Sequence, residues 1–390
     1  MARAVTGDHI LFNECIGAFR RKNDISDKLY VENKSFLLCS FRINETWDLG
    51  ICKVSPSKEI KLPGAYSAFI STISNPKSNE KYNQHLFGIA LSAIISFITL
   101  KNCKSTRDGY LCVRDTFSPQ DFLELAIMNP ILTSGPGANK VHLSNEKLLC
   151  LEIKNFINLL HNIEYEKYVK LMQSIRMINL SISNKRDDFG LAYFLSVSAI
   201  ESIAQIAIKR ENVKIKDALE STWKVKAKGD PIFEKLYESY KTLRGNNSYL
   251  SERYVKFIMD FAPQIKWIDL VPDPEEYIKN LLMSINEILP NKNQYDQIIA
   301  EKRSFEVYPE ELNDSQIKEI LSNSYKYRSE FVHQGKQPPH SEVNGQKRFF
   351  EKFGDAFNSI KDNKLLLPTY DLIVNIAKYS IMNWAESNKK

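Results

Sequence analysis

The stretch LAYFLSVSAIESIAQIAI, Leu191–Ile208, is apolar on nearly every side. A helix without a solvent-facing side has to sit at the centre of a bundle, so this run sets the architecture around it. Ser198, Glu201, Ser202 and Gln205 form a polar stripe along it, at i, i+3, i+4 and i+7. Glu201 is the only charge between Asp188 and Lys209. Burying that carboxylate unpaired would cost on the order of several kcal/mol, so a partner must approach it from another element.

The texture of the chain changes near residue 140. Before it, SFLLCSFRI (Ser35–Ile43) and WDLGICKV (Trp47–Val54) are short β-branched and aromatic runs separated by Asn44-Glu45-Thr46. They suggest a hairpin, with GYLCVRD (Gly109–Asp115) as a third strand. LFGIALSAIISFITL, Leu86–Leu100, is 15 residues long and contains serines. It falls short of the roughly 20 needed for a membrane span and reads as a core helix. Ser118 as N-cap and Pro119 at the first helical position open another helix. TSGPGANK, Thr133–Lys140, lacks the Gly-Lys-Ser/Thr ending of a phosphate loop and reads as a linker. After it, helices follow at SNEKLLCLEIKNFINLLH with Ser144 as cap, at YEKYVKLMQSIRMINLSI with Tyr165, Tyr168, Val169, Met172 and Ile175 in helical spacing, and then at the apolar run. Shorter helices occupy about 211–308, broken at KGDP, RGNNS and VPDP. A helix from Asp314 and a last one over Tyr370–Ala385 complete the chain. The expected fold class is α+β: a mixed α/β domain over 1–140 and a mainly helical domain over 141–390, interrupted by an insertion at about 211–308.

A chain of 390 residues with 43% apolar and 26% charged residues is an ordinary globular composition. A net charge of +6 permits a polyanionic partner without requiring one. The six cysteines include no C-x-x-C pair, which argues against a structural zinc site. MARAVTGDHILFNEC has no charged-then-apolar leader. Scattered cysteines without a leader point to reduced thiols and a cytoplasmic location, with no membrane partner.

The stretch YKYRSEFVHQGK, Tyr325–Lys336, is the most informative. At about 100° per residue, with Ile317 at zero, Ile320, Leu321, Ser324, Phe331 and Val332 fall within about 60°, and Arg328 lies at about 20°. A guanidinium cannot shed its charge, so at the middle of a core-facing stripe it needs an acceptor. Glu201 and Arg328 are thus expected to pair. His333 lies about 140° from Arg328, in the last turn, since Gly335 is a natural helix stop and Pro338 and Pro339 forbid continuation. Its position suits acid–base work. Spacing alone leaves two readings open: a phosphate-and-proton pair, or a bundle ion pair followed by a capping residue. Arg3 and His9 meet the same loose Arg-x4–6-His pattern at the chain terminus.

LAYFLSVSAIESIAQ followed by YKYRSEFVHQGK resembles the HEPN (higher eukaryotes and prokaryotes nucleotide-binding) families, in particular the ApeA-like branch, over about residues 145–390. Ala199, Ile200 and Glu201 match the A-x-E of one helix in that branch. Tyr325, Arg328, Ser329, Val332 and His333 match its later Y-x-x-R-S-x-x-V-H-G helix. Here Gln334 separates His333 from Gly335, and 126 residues separate Glu201 from Arg328, hence the insertion.

The resemblance implies a metal-independent endoribonuclease without cofactors, acting as a homodimer whose two motifs line one cleft. Arg328 would hold the scissile phosphate. His333 would shuttle a proton for attack by the 2′-OH or protonate the leaving 5′-oxygen, and Glu201 would orient Arg328 from behind. Lys326, Ser329 and Lys336 are candidate RNA contacts. Both lysines also read as solvated surface, as does the basic stretch Lys214–Lys228. The expected partner is RNA, with tRNA among the open targets. The expected role is antiphage defence or a toxin system, with residues 1–140 sensing a phage-derived trigger. A HEPN domain without activity, binding RNA or nucleotide or acting like an antitoxin, is the alternative, and a helical scaffold with a buried ion pair is a third reading. No stacking platform for bases is evident as a motif.

Overall fold

A small antiparallel sheet lies at the N-terminal side, followed by a helical bundle, in the computed structural model, which describes residues 34–62, 66–74, 84–106, 117–131, 133–134, 146–213, 219–246, 248–271, 307–335, 348–352 and 366–390. The fold class is α+β, as the sequence indicates. Ser144, Gly109–Asp115, residues 135–140 and Lys336 lie outside the described residues.

The sheet consists of β1 (Lys34–Cys39), β2 (Trp47–Asp48), β3 (Lys53–Val54), β4 (Lys58–Leu62), β5 (Tyr66–Ser74), β6 (Cys103–Ser105) and β7 (Thr133–Ser134). The order is β2-β3-β5-β1-β6, with β4 and β7 also on β5. All these pairings are antiparallel. The long strand β5 organises the sheet. Its register against β1 runs from Lys34 opposite Ser74 to Cys39 opposite Phe69.

This corrects the expected hairpin between Ser35–Ile43 and Trp47–Val54. The second run folds back on itself: Trp47 pairs with Val54 and Asp48 with Lys53. Gly50, at φ +84°, supplies the turn, and its N–H donates to Asp48 Oδ1 at 3.0 Å. A left-handed residue is what a tight antiparallel turn demands, and glycine adopts it without a Cβ clash. β1 is left to β5 and β6.

Alternation along the strands divides two cores. Leu37 and Cys39 of β1 face the main one. Phe36 and Leu38 face a smaller one with Ala68 and Ile70 of β5, covered by Phe122, Leu125 and Ala126. Those three belong to α2 (Pro119–Met128), which starts with the expected Ser118 cap, closed into a capping box by Asp121. The apolar helix α1 (Gln84–Thr99) lies on the other face, with Leu91, Ile94, Ile95 and Phe97 all buried.

The bundle comprises α3 (Glu146–Leu160), α4 (Tyr165–Asn184), α5 (Phe189–Ala207), α8 (Leu250–Phe261), the short α9 (Trp267–Leu270), α10 (Asp314–Gln334) and α11 (Tyr370–Ser387). A short ribbon, Phe350–Lys352 with Leu366–Pro368, leads into α11. As its composition requires, α5 is central and packs on α4, α8, α10 and α11. It is long and apolar enough to cross a membrane by composition, yet most of it is buried within the protein. Ser181 of α4 fastens this centre: its Oγ donates to Ala192 O at 2.6 Å and lies 2.8 Å from both Ser196 Oγ and Tyr370 Oη. Each hydroxyl is thereby satisfied inside the core.

Sheet and bundle share one continuous hydrophobic core. Phe97 of α1 meets Phe156 of α3 at 5.6 Å between centroids. The Glu146 carboxylate at the start of α3 accepts from Asn44 N, Glu45 N and Trp47 Nε1 at 2.9–3.0 Å. Within the expected insertion, α6 (Glu220–Lys226) and α7 (Pro231–Asn246) form a hairpin held by Trp223 against Tyr240 and by an Arg244–Glu220 ion pair at 3.2 Å. The basic residues Lys224, Lys226 and Lys228 are exposed there.

Candidate phosphate-binding site between helices α5 and α10

Helix α10 is defined at both ends by its own residues. Asn313 caps the N–H groups of Ser315 and Gln316, and the Gln316 side chain returns to the Asn313 N–H, a complete capping box. Gly335 ends it at φ +63°, its N–H bonding Phe331 O at 3.1 Å. Between these stops, Ile317, Ile320, Leu321 and Ser324 are buried in the order the projection gives. The stripe does not extend to Val332, which is 50% exposed, and Phe331 is only half-buried. The last turn of α10 thus projects beyond the elements that bury its earlier turns.

Arg328 sits where the buried stripe gives way to this projecting turn. Its Nη2 lies 2.8 Å from Glu201 Oε2 as an ion pair, with the Glu201 side chain 5% exposed and that of Arg328 24%. The ion pair expected from one inward charge on each of two helices is therefore formed. Glu201 Oε1 accepts from Tyr325 Oη at 3.2 Å and Gln205 Nε2 at 3.3 Å. Both carboxylate oxygens are thus satisfied, which keeps a buried charge tolerable.

The guanidinium lies 5.7 Å from the Phe194 ring centroid and 5.8 Å from that of Tyr325, within cation–π range of both. Tyr325 leans on Tyr254 at 5.6 Å, and Tyr254 Oη meets Ser324 Oγ at 2.9 Å. Burial, then the Glu201 charge, pushes the Tyr325 phenol up to about 12, so it stays protonated and donating at neutral pH. Burial pushes Tyr254 up as well.

The guanidinium is held but not saturated. Its one ion pair runs through Nη2, and Nε is buried without an acceptor among the described residues. A planar cation fixed from behind and 24% exposed can bind an oxyanion such as phosphate through its terminal nitrogens, the buried Nε apart.

His333 lies in the last turn, exposed, with no hydrogen bond or ion pair among the described residues. Ser329 is half-buried beside Arg328. Lys326 is exposed and lies 3.9 Å from Glu330 in an i,i+4 pair. The structure therefore brings Glu201 and Arg328 together and leaves His333 and Lys326 facing outward. Sequence reasoning missed the ring contact of Phe194 on Arg328. The signal was present: Phe194, Ser198, Glu201 and Gln205 follow at i, i+4, i+7 and i+11, one helical stripe. Among the described residues no three His, Cys, Asp or Glu side chains group as a metal site. Comparison with family models, curated proteins and solved structures gives no match.

Proposed function

We propose that this chain is an endoribonuclease of the HEPN type, cleaving RNA by attack of the ribose 2′-OH without a metal ion. The observation that carries the reading is the half-open Arg328 guanidinium, clamped by Glu201 and one helical turn and a half before a free imidazole. Arg328 binds the non-bridging oxygens of the scissile phosphate by charge-assisted hydrogen bonds. The 2′-oxygen attacks phosphorus, the bond to the 5′-oxygen breaks, and a 2′,3′-cyclic phosphate and a 5′-hydroxyl result. His333 accepts the 2′-proton or delivers the proton to the leaving oxygen. A homodimer formed through the bundle would bring two such imidazoles to one cleft and give the outward-facing His333 its place of work. The proposed setting is cytoplasmic RNA, tRNA included, in a defence or toxin response triggered through the N-terminal region.

The test is an RNA oligonucleotide beside its all-DNA counterpart, incubated with the protein in EDTA and followed by end-group analysis. RNA fragments ending in cyclic phosphate, with DNA intact, are expected. Cleavage of both substrates would overturn the mechanism. Binding of RNA without cleavage by the triggered protein would support the non-catalytic HEPN module instead.

A further inference from the structure

We propose that the stacked rings of Phe194 and Phe331 form a subsite for an unpaired nucleobase beside the phosphate held at Arg328. This rests on the RNA reading above and adds to it a substrate class, single-stranded RNA.

The two rings come from different helices, α5 and α10, and lie 5.4 Å apart at 25° between planes. Both are half-buried, and neither belongs to the main hydrophobic core or to the residues packed on it. Two large apolar rings held flat against each other outside the core present aromatic surface without contributing to the bundle interior. They occupy the neighbourhood of Arg328: Phe331 follows it by three residues on α10, and its guanidinium faces Phe194 at 5.7 Å. Val332 and His333, the next two residues, are exposed. A cation that binds phosphate next to an aromatic face that binds a base is the chemistry of a single nucleotide unit. Every base has a π-face, so such a subsite recognises single-strandedness more than sequence.

A second copy of this chain is the competing occupant. Arg and aromatic residues are common at protein interfaces too, but a stable interface usually spans about 800 Å² per partner, more than two half-buried rings supply. Here the rings adjoin a guanidinium with unspent donors, which favours a polyanion.

The experiment uses the full chain carrying His333→Ala, so that binding is read without cleavage. Fluorescence anisotropy measures a labelled single-stranded RNA 12-mer and an abasic version of the same length. Phe331→Ala is expected to weaken binding of the intact strand roughly 5- to 150-fold, the loss of one base stack, and to leave the abasic strand unchanged, while Phe194→Leu, which also removes the ring beside Arg328, weakens both strands and the intact one more. Phe331→Trp restores binding, which separates stacking from a folding defect. Unchanged binding of the intact strand in both variants, or an equal loss for intact and abasic strands, overturns the subsite. So does a loss of self-association in sedimentation with RNA affinity unchanged, which assigns the rings to a second copy. Phe331-dependent binding without His333-dependent cleavage by the triggered wild-type protein would leave the subsite standing and remove the ribonuclease reading.

Discussion

At the scale of single residues, Glu201 organises the site. It is a carboxylate on an otherwise apolar central helix, and it holds Arg328, Tyr325 and Gln205 at once. Arg328→Ala leaves Glu201 buried without its counter-ion. The expected cost is about 3 kcal/mol, the low end for breaking a buried pair because the guanidinium is partly exposed. Glu201→Leu combined with Arg328→Met is expected to recover most of this in denaturant unfolding, and equal instability of the double variant would contradict the pairing. Tyr325 adds a pH signature. Its folded pKa lies above the ordinary tyrosine value of 10, at about 12. The folded state therefore holds the proton longer than the unfolded chain, and stability falls as pH rises from about 10 to about 12. Other buried tyrosines act in the same direction, so the readout is the difference between wild type and Tyr325→Phe, which is expected to shrink across that window. The ion pair was legible in the sequence because each helix carries one charge where the projection faces inward. The bond from Tyr325 to Glu201 was not legible, since it depends on how far α10 slides along α5, whereas Gln205 reaches Glu201 within α5 at the i,i+4 spacing of the polar stripe.

At the scale of elements, helices read more faithfully than strands. The boundaries of α4, α5, α10 and α11 follow from apolar spacing and from caps such as Asn313 and Gly335, all local signals. The sheet is different. β1 could pair with its neighbour in sequence, but the turn at Gly50 takes β2 and β3 for each other, and β1 pairs instead with β5, about 30 residues on. A non-local pairing leaves no mark in a single strand's pattern. Close packing of α1 on that sheet rests on a glycine: a Cβ at Gly88 would lie 2.3 Å from Ser105 Oγ and 3.2 Å from Ser35 Cβ. Gly88→Ala is expected to cost about 1–3 kcal/mol by overpacking, measured as a lower melting temperature. Adding Ser105→Ala removes the clashing oxygen and is expected to return part of that loss; an unchanged melting temperature in the single variant would mean that α1 does not approach the sheet this closely.

At the scale of the whole molecule, the sheet and the bundle belong to one core, joined through α1 and tied by Glu146 to the 44–47 loop. Calorimetry is expected to show sheet and bundle unfolding together; two well-separated transitions for them would contradict the shared core. The shared core also gives the described sheet a mechanical route to the bundle, which suits the proposed regulatory role. The proposed chemistry lies at the C-terminal end of α10, where Arg328 is clamped and His333 is exposed. The most direct measurement compares wild type with His333→Ala on mixed cellular RNA in EDTA, after thermal melts establish equal folding. His333 is exposed and has no partner among the described residues. The substitution is therefore expected to leave the melting temperature within about a degree, because exposed substitutions rarely change stability by more than about 0.5 kcal/mol. Loss of all cleavage in the variant, against cyclic-phosphate fragments from wild type, is the expected result. Equal cleavage by both proteins would contradict the assignment of His333 and of this site.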